Sequence, residues 1–247
     1  MKLWKKEIIR FKEYLEKKFE VTITDEDVRK AVKIENEARK ALKRLYEVMQ
    51  HDPAPISGHD LFKVLYGSTF KLDRSEIAGE VNALADKIEA EYAEGKMLEK
   101  KPRILITGCP IGGATEKVIR AVEDNGGVVV TYENCTGAKS IDRLVDENAE
   151  DIYQAIAERY LAIGCSVMTP NPNRFELMGR LIDEYQVDGV LEMTLQACHT
   201  YNIESHYVKQ TVTNKGKSYL MIETDYSQAD KGQIRTRLEA FLETLEK

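Results

Sequence analysis
The chain has no CxxC pair, no long apolar run and no excess of basic residues, and each absence removes a class of function. Its four cysteines, Cys109, Cys135, Cys165 and Cys198, all follow the first hundred of its 247 residues, spaced 26, 30 and 33 positions apart. That spacing excludes a local zinc ribbon and a thioredoxin-like redox motif. The longest apolar stretches, such as GVVVTY at 127–132, are far too short to span a bilayer. The first residues, MKLWKKEIIRFKEYLEKKFE, form a charged amphipathic pattern without the apolar core of a signal peptide. Lysine and arginine number 36 against 42 acidic residues, a net charge of −6, which offers no basic footprint for nucleic acid or anionic lipid. There is neither an internal repeat nor a low-complexity tract. These absences favour the cytoplasm, where cysteines serve as buried thiols, metal ligands or redox groups rather than structural disulfides.

What is present is an ordinary globular mix, 43% apolar and 32% charged, enough for one large domain or two modest ones. The first hundred residues read as helix. Trp4, Ile8, Phe11, Leu15 and Phe19 recur every three or four positions. A second helix starts after Thr24, an N-cap ahead of Asp25, Glu26 and Asp27, and ends at DPAPISG (52–58), where proline removes a donor. A short helix over 61–65 and a longer one through Ile77, Val81, Leu84, Ile88 and Tyr92 precede a linker at Gly95 and EGKMLEKKP. From Arg103 the pattern changes to strands alternating with helices: ILIT, helix 116–124, VVVTY, helical patterns at 141–145 and 152–163, a PNPN break, helix 175–185, VDGVLEMTL, a helix after Asn202, SYLMIET, and a closing helix over 234–245. Asp230 and Gln233 have the spacing of a capping box for that last helix. Alternation of this kind implies βαβ units. The expected fold is α/β: a helical segment over 1–100, then over 101–247 a small Rossmann-like, mainly four-stranded parallel sheet with helices on both faces.

The chemistry is expected at one edge of that sheet. Cys109 (TGCPIGG) and Cys135 (ENCTG) follow strands and Cys198 (LQACHTYN) closes a third, while Cys165 lies in IGCSVM. The carboxyl ends of parallel strands form a single rim where ligands bind, so thiolates distant in sequence can meet there and hold an iron–sulfur cluster. Against this stands the tendency of a free cysteine to pack as a small hydrophobe. Loops rich in Gly, Asn and Thr favour the ligand role, because their N–H groups can reach cluster sulfurs. Gly112 and Gly113 lead into a helix N-terminus as in a phosphate-cradling turn, although GCPIGG lacks the GxGxxG and P-loop spacings, and a tight strand-to-helix turn explains the glycines as well. His199, Tyr201 and Glu204 follow Cys198 and could shuttle protons near a cluster; starting a helix is the plainer role. Asp225, Tyr226 and Ser227 end the last strand and reach the same rim. His51, His59 and His206 are expected on the surface.

Taken together, GCPIGG…EKVI, YENCTGAK, GCSVMTPNPNR, DGVLEMTLQACHTYNIES and IETDYSQADKGQIRTRLEAFLE resemble the benzoyl-CoA reductase and 2-hydroxyacyl-CoA dehydratase family. Within that family the strings look most similar to the double-cubane-cluster-containing anaerobic reductases. The resemblance implies a cluster bound between two lobes and an ATP-hydrolysing iron–sulfur activator that supplies low-potential electrons. It implies Cys135 and Cys198 as metal ligands, with Cys165 next and then Cys109, around a [4Fe–4S] or an [8Fe–9S] double-cubane centre. It further implies a homodimer acting on a small molecule or a 2-hydroxyacyl-CoA. Family chains carry a preceding lobe with further cysteines, and a double cubane takes more thiolates than the four here. The expectation is therefore a C-terminal portion, inactive alone, with an exposed apolar patch around Trp4, Ile8 and Phe11. The alternatives are a cluster-free α/β binding or assembly lobe and, less favoured, a zinc site on the same thiolates.

Overall fold
Helical periodicity shapes the first hundred residues. The structure, a computed structural model, describes residues 1–109 and 112–245, so Pro110 and Ile111 of GCPIGG lie outside the described residues. Helix α1 (Lys2–Phe19) buries none of its side chains. Trp4 is 47% and Phe11 61% exposed, and Ile8 is half-buried, so the expected apolar patch is present. Helix α2 (Asp25–Glu47) opens with a full capping box: the Thr24 hydroxyl accepts the Asp27 N–H at 3.2 Å and the Asp27 carboxylate accepts the Thr24 N–H at 2.9 Å. Helices α3 (Gly58–Ser68) and α4 (Ile77–Ala93) follow, α4 packing along α2. The start of α3 comes directly onto the sheet. A Cβ at Gly58 would lie 2.2 Å from the Val129 carbonyl oxygen, and the Tyr132 hydroxyl donates to the Gly58 carbonyl at 2.7 Å.

The remaining elements are β1 (Arg103–Gly108), α5 (Gly112–Asp124), β2 (Val128–Glu133), α6 (Ala138–Ile141), α7 (Ile152–Leu161), α8 (Pro172–Glu184), β3 (Gly189–Leu195), α9 (His199–Asn214), β4 (Ser218–Thr224) and α10 (Lys231–Glu243). The four strands are all parallel, in the order β2-β1-β3-β4. β1 and β2 are buried throughout and β3 to its penultimate residue, as continuous Val, Ile and Leu runs covered on two sides require. β4, at the edge, is half-buried. Helix α5 packs with α10, and α8 with α9, so the sheet carries helices on both faces. One principal core runs unbroken from Leu45, Leu61 and Phe62 of the helical segment to Ile104, Val129 and Leu191 of the sheet. No helix among the described residues is long and apolar enough to cross a membrane.

Four local expectations change. Residues 142–145 are not helical; α6 ends at Ile141. The Asn36 side chain of α2 binds both the Val145 N–H (3.0 Å) and its carbonyl (2.8 Å), supplying from outside the bonds a helix would have made. Helix α8 starts inside PNPN because Pro172 occupies its first turn, where no N–H is needed. Asp230 caps α10 without a side-chain bond; its carboxylate is instead taken by Lys117 Nζ (2.6 Å) and the Thr224 hydroxyl. His59 is buried rather than superficial, since Glu116 of α5 lies 2.9 Å from its Nε2.

Candidate functional site
The sheet order reverses between β1 and β3, and the crevice at such a switch opens beyond the carboxyl ends of those strands. Cys109 sits in it. Its N–H donates to the Met193 carbonyl at 2.8 Å, its Sγ accepts the Leu195 N–H at 3.4 Å, and it is buried. Burial pushes its thiol up to about 12. Cys198, half-buried at the N-cap of α9, stands next to Cys109. Burial works against ionisation of the Cys198 thiol, but the Tyr201 N–H and the Thr200 hydroxyl outweigh it and hold that thiol below its usual value. Cys135, exposed in the loop after β2, neighbours Cys165, which is half-buried between α7 and α8. The thiols therefore share one rim as two pairs. Among the described residues no three His, Cys, Asp or Glu side chains form a group that could hold a metal ion.

Tyr201 joins the two pairs. It follows Cys198 by one turn of α9, is buried, and stands beside Cys135. Burial, and next the charge of Cys135, push its hydroxyl well up. Beneath it lies a buried ion network. The Arg174 guanidinium, fully buried at the start of α8, is 4.9 Å from the Tyr201 ring centroid, and Lys139 Nζ is 5.6 Å from it. Arg174 pairs with Glu204 through Nη1, with Glu133 at 3.3 Å and with Glu192 at 3.5 Å; Nη2 also donates to the Thr107 hydroxyl at 3.1 Å. Lys139 pairs with Glu133 at 3.1 Å. Asn171 donates to Glu204 at 2.7 Å and to the Cys165 carbonyl at 2.8 Å, which ties the network to the rim.

Three carboxylates against two cations leave one carboxylate short of a partner. Glu192 has the longest contact to Arg174, and its Oε1 is buried without a hydrogen bond. Burial raises its carboxyl to about 7, against the lowering influence of the Tyr219 hydroxyl, which donates to Oε2 at 2.5 Å, and of Arg174. A carboxyl raised on folding stabilises fully below its unfolded value and loses that stability as pH climbs through the folded one. Glu192→Gln is therefore expected to remove a fall in stability, on the order of 1–3 kcal/mol, that the parent shows between about pH 5 and pH 8. Urea titrations across that range measure it; a variant with the parent's slope would place the proton elsewhere.

Of the other residues singled out in the sequence, His199 is exposed on the first turn of α9, and Tyr201 and Glu204 are buried in or against the network. Gly112 is a close-packing position: a Cβ there would meet the Tyr66 hydroxyl at 2.6 Å. Gly113 borders an open cavity shared with Lys117, Arg120 and Lys231. Arg174, Glu133, Glu192 and Lys139 were not singled out. Glu133 and Glu192 carried a signal, a lone charge in a strand that the apolar pattern otherwise buries, as in VVVTYE and GVLEMTL; Arg174 and Lys139 carried none.

The 2-hydroxyglutaryl-CoA dehydratase D-component family model matches residues 1–245. The chain is 47% identical to the putative dehydratase subunit YjiM of Escherichia coli (strain K12), over 98% of this chain and 63% of that protein. It is 27% identical to the beta subunit of the (R)-phenyllactyl-CoA dehydratase of Clostridium sporogenes (94% and 61%), and 24% identical to a subunit of the benzoyl-CoA reductase of Thauera aromatica (100% and 59%). It spans about three-fifths of the length of these curated relatives. A solved structure, the rubredoxin oxygen:oxidoreductase of Desulfovibrio gigas, aligns at a TM-score of 0.33 with 16% identity, over 68% of this chain and 41% of that one, too slight to bear on function. The family match covers nearly the whole chain, including all four thiol loops, and the chain belongs to the 2-hydroxyglutaryl-CoA dehydratase D-component family.

Proposed function
We propose that this chain is part of an iron–sulfur dehydratase or reductase in which Cys135 and Cys198, with Cys165 and Cys109, give thiolates to a [4Fe–4S] or [8Fe–9S] cluster at the carboxyl rim of the sheet. The observation that carries this reading is the delivery of thiols by three strand ends to one rim, above a fully paired guanidinium. The donors fit in kind, being soft cysteine sulfurs in loops, with the Cys198 thiol held below its usual value. In number they fit as a share of a ligand set, because the pairs do not close around one point; the remaining donors come from another segment or another polypeptide. Bound there, such a cluster supplies low-potential single-electron transfer.

This chain's own residues do the rest. Tyr201 closes the floor of the rim against water, and Arg174 pairs with Glu133 and Glu204 beneath it. His199, exposed on the first turn of α9, is the group that would relay a proton to a substrate bound at the rim. The partners are an ATP-hydrolysing iron–sulfur activator and a second copy of the chain, in the cytoplasm, with a 2-hydroxyacyl-CoA or a small reducible molecule as substrate. Alone, without the completing donors, the chain is inactive.

Anaerobic reconstitution with ferrous iron and sulfide tests the reading. Broad visible absorbance and bound iron are expected, with most of both lost in Cys135→Ser or Cys198→Ser. Iron binding no greater than that of a variant lacking all four cysteines would overturn it. That result would favour a cluster-free α/β binding lobe, the reading to which the two-pair arrangement of thiols also points.

A further inference from the structure
A cavity of about 660 Å³ lies where the helical segment meets the rim, and Cys135 is on its wall. Arg39 of α2, Arg74 between α3 and α4, Lys139 of α6 and Arg159 of α7 also line it, with Glu35 of α2 as the acidic member. In a chain of net charge −6 this is a local reversal of sign, and a cleft lined by one sign gathers the opposite ion.

Charge pairing around the cavity shows which cations lack a partner. Lys139 is matched by Glu133 beneath the cavity at 3.1 Å. Arg74 takes both oxygens of Glu35, at 2.8 and 3.2 Å, and its remaining Nη1 donates to the Ser68 carbonyl at 2.7 Å. Arg39 is left with the Asn36 side chain at 3.1 Å and a loose 3.9 Å approach to Glu35. Arg159 donates to the backbone carbonyls of Arg143 at 3.0 Å and of Ser140, its guanidinium lies 4.7 Å from the Tyr160 ring centroid, and its Nη1 has no hydrogen-bond partner among the described residues. Arg39 is 8% and Arg159 6% exposed. They also feel each other: burial first, then the charge of Arg39, makes Arg159 easier to deprotonate. Two buried guanidiniums close enough to repel, whose nearby carboxylate Glu35 is already taken bidentately by Arg74, are an arrangement that an anion between them would relieve. A planar guanidinium fork matches an oxyanion with two parallel N–H bonds.

We propose that this cavity is an oxyanion seat in which Arg39 and Arg159 grip a carboxylate or phosphoryl group of a small anionic ligand beside Cys135. The inference goes beyond the cluster reading, since it requires neither iron nor an activator.

Isothermal titration of the full, iron-free chain in phosphate-free buffer tests it, with glutarate, inorganic phosphate and coenzyme A as probes. At least one probe is expected to bind, and Arg159→Gln or Arg39→Gln to weaken it roughly tenfold to a hundredfold, the loss of a hydrogen bond to a charged group. Arg235→Gln, on the distant α10 cavity, is expected to leave binding unchanged. Arg159→Lys keeps the charge without the fork and is expected to fall between, which gives a readout if the glutamine variants melt. Glutarate binding that phosphate does not displace assigns a carboxylate seat; phosphate or coenzyme A that displaces glutarate assigns a phosphoryl seat. No binding by any probe, or binding undiminished in all three cavity variants, overturns the proposal. Because iron is absent throughout, failed cluster reconstitution would not affect the result.

Discussion
Arg174→Met is expected to lower unfolding stability by about 3–5 kcal/mol, the cost of removing one partner from a buried ion network. Arg174 is fully buried and is shared by Glu133, Glu192 and Glu204, so methionine would fill its volume while leaving three carboxylates to a single ammonium, Lys139. A loss of that size is a large share of the 5–15 kcal/mol typical of a domain. The stranded carboxylates would answer by holding protons in the folded state, which raises their native values above the unfolded ones. Their contribution is then present at low pH and lost as pH rises. The deficit of the variant against its parent should accordingly shrink between about pH 8 and pH 5. Urea denaturation at both ends of that range measures it. A loss below about 1 kcal/mol, the ordinary surface-substitution scale, or a deficit indifferent to pH, would mean that Arg174 is not the charge that holds the network together.

The second large effect is expected at Gly108, the last residue of β1. Its φ is +107°, and a Cβ there would stand 1.9 Å from the Met193 carbonyl oxygen. That oxygen belongs to the paired centre of β3, directly opposite Gly108, and already accepts the Cys109 N–H at 2.8 Å. Neither backbone can retreat without breaking the ladder. Gly108→Ala is expected to cost about 3 kcal/mol or more, combining a disallowed backbone conformation with overpacking. The accompanying signature is chemical. Cys109 in the parent is buried with its thiol pushed up to about 12, so alkylation should be slow, and the variant should label faster at that one cysteine. Gly126 is the control. Its φ of +96° makes a similar backbone demand, yet nothing lies within 4 Å of its Cβ position, so alanine there should cost about 1–2 kcal/mol. Equal effects at the two glycines would remove the collision from the explanation.

The fold was legible where local pattern and burial agree. ILIT, VVVTY, VDGVLEMTL and SYLMIET became β1 to β4 because a parallel sheet buries such runs on both faces. Thr24 was readable as a cap because its partner lies three residues away. The non-helical course of 142–145 was not, because Val145 takes its hydrogen bonds from Asn36, which lies in another helix altogether. His59 likewise has its partner, Glu116, on an element that only folding brings near. Of the site, the rim placement of Cys109, Cys135 and Cys198 followed from strand ends. The network beneath did not, since Arg174 sat within an apparent proline break and Glu133 and Glu192 within apolar runs. What those charges do depends on one another, and sequence distance conceals that dependence.

The parallel order β2-β1-β3-β4 also dictates a schedule of assembly. In a zinc finger the donors lie within a few residues of each other, and metal capture organises an otherwise unstructured peptide. Here the sulfurs are separated by whole helical crossovers of 26, 30 and 33 positions, so they gather only after β1, β2 and β3 have docked. On the proposed cluster reading, iron delivery would follow folding of the sheet, because a nascent chain still emerging from the ribosome has no nest to offer.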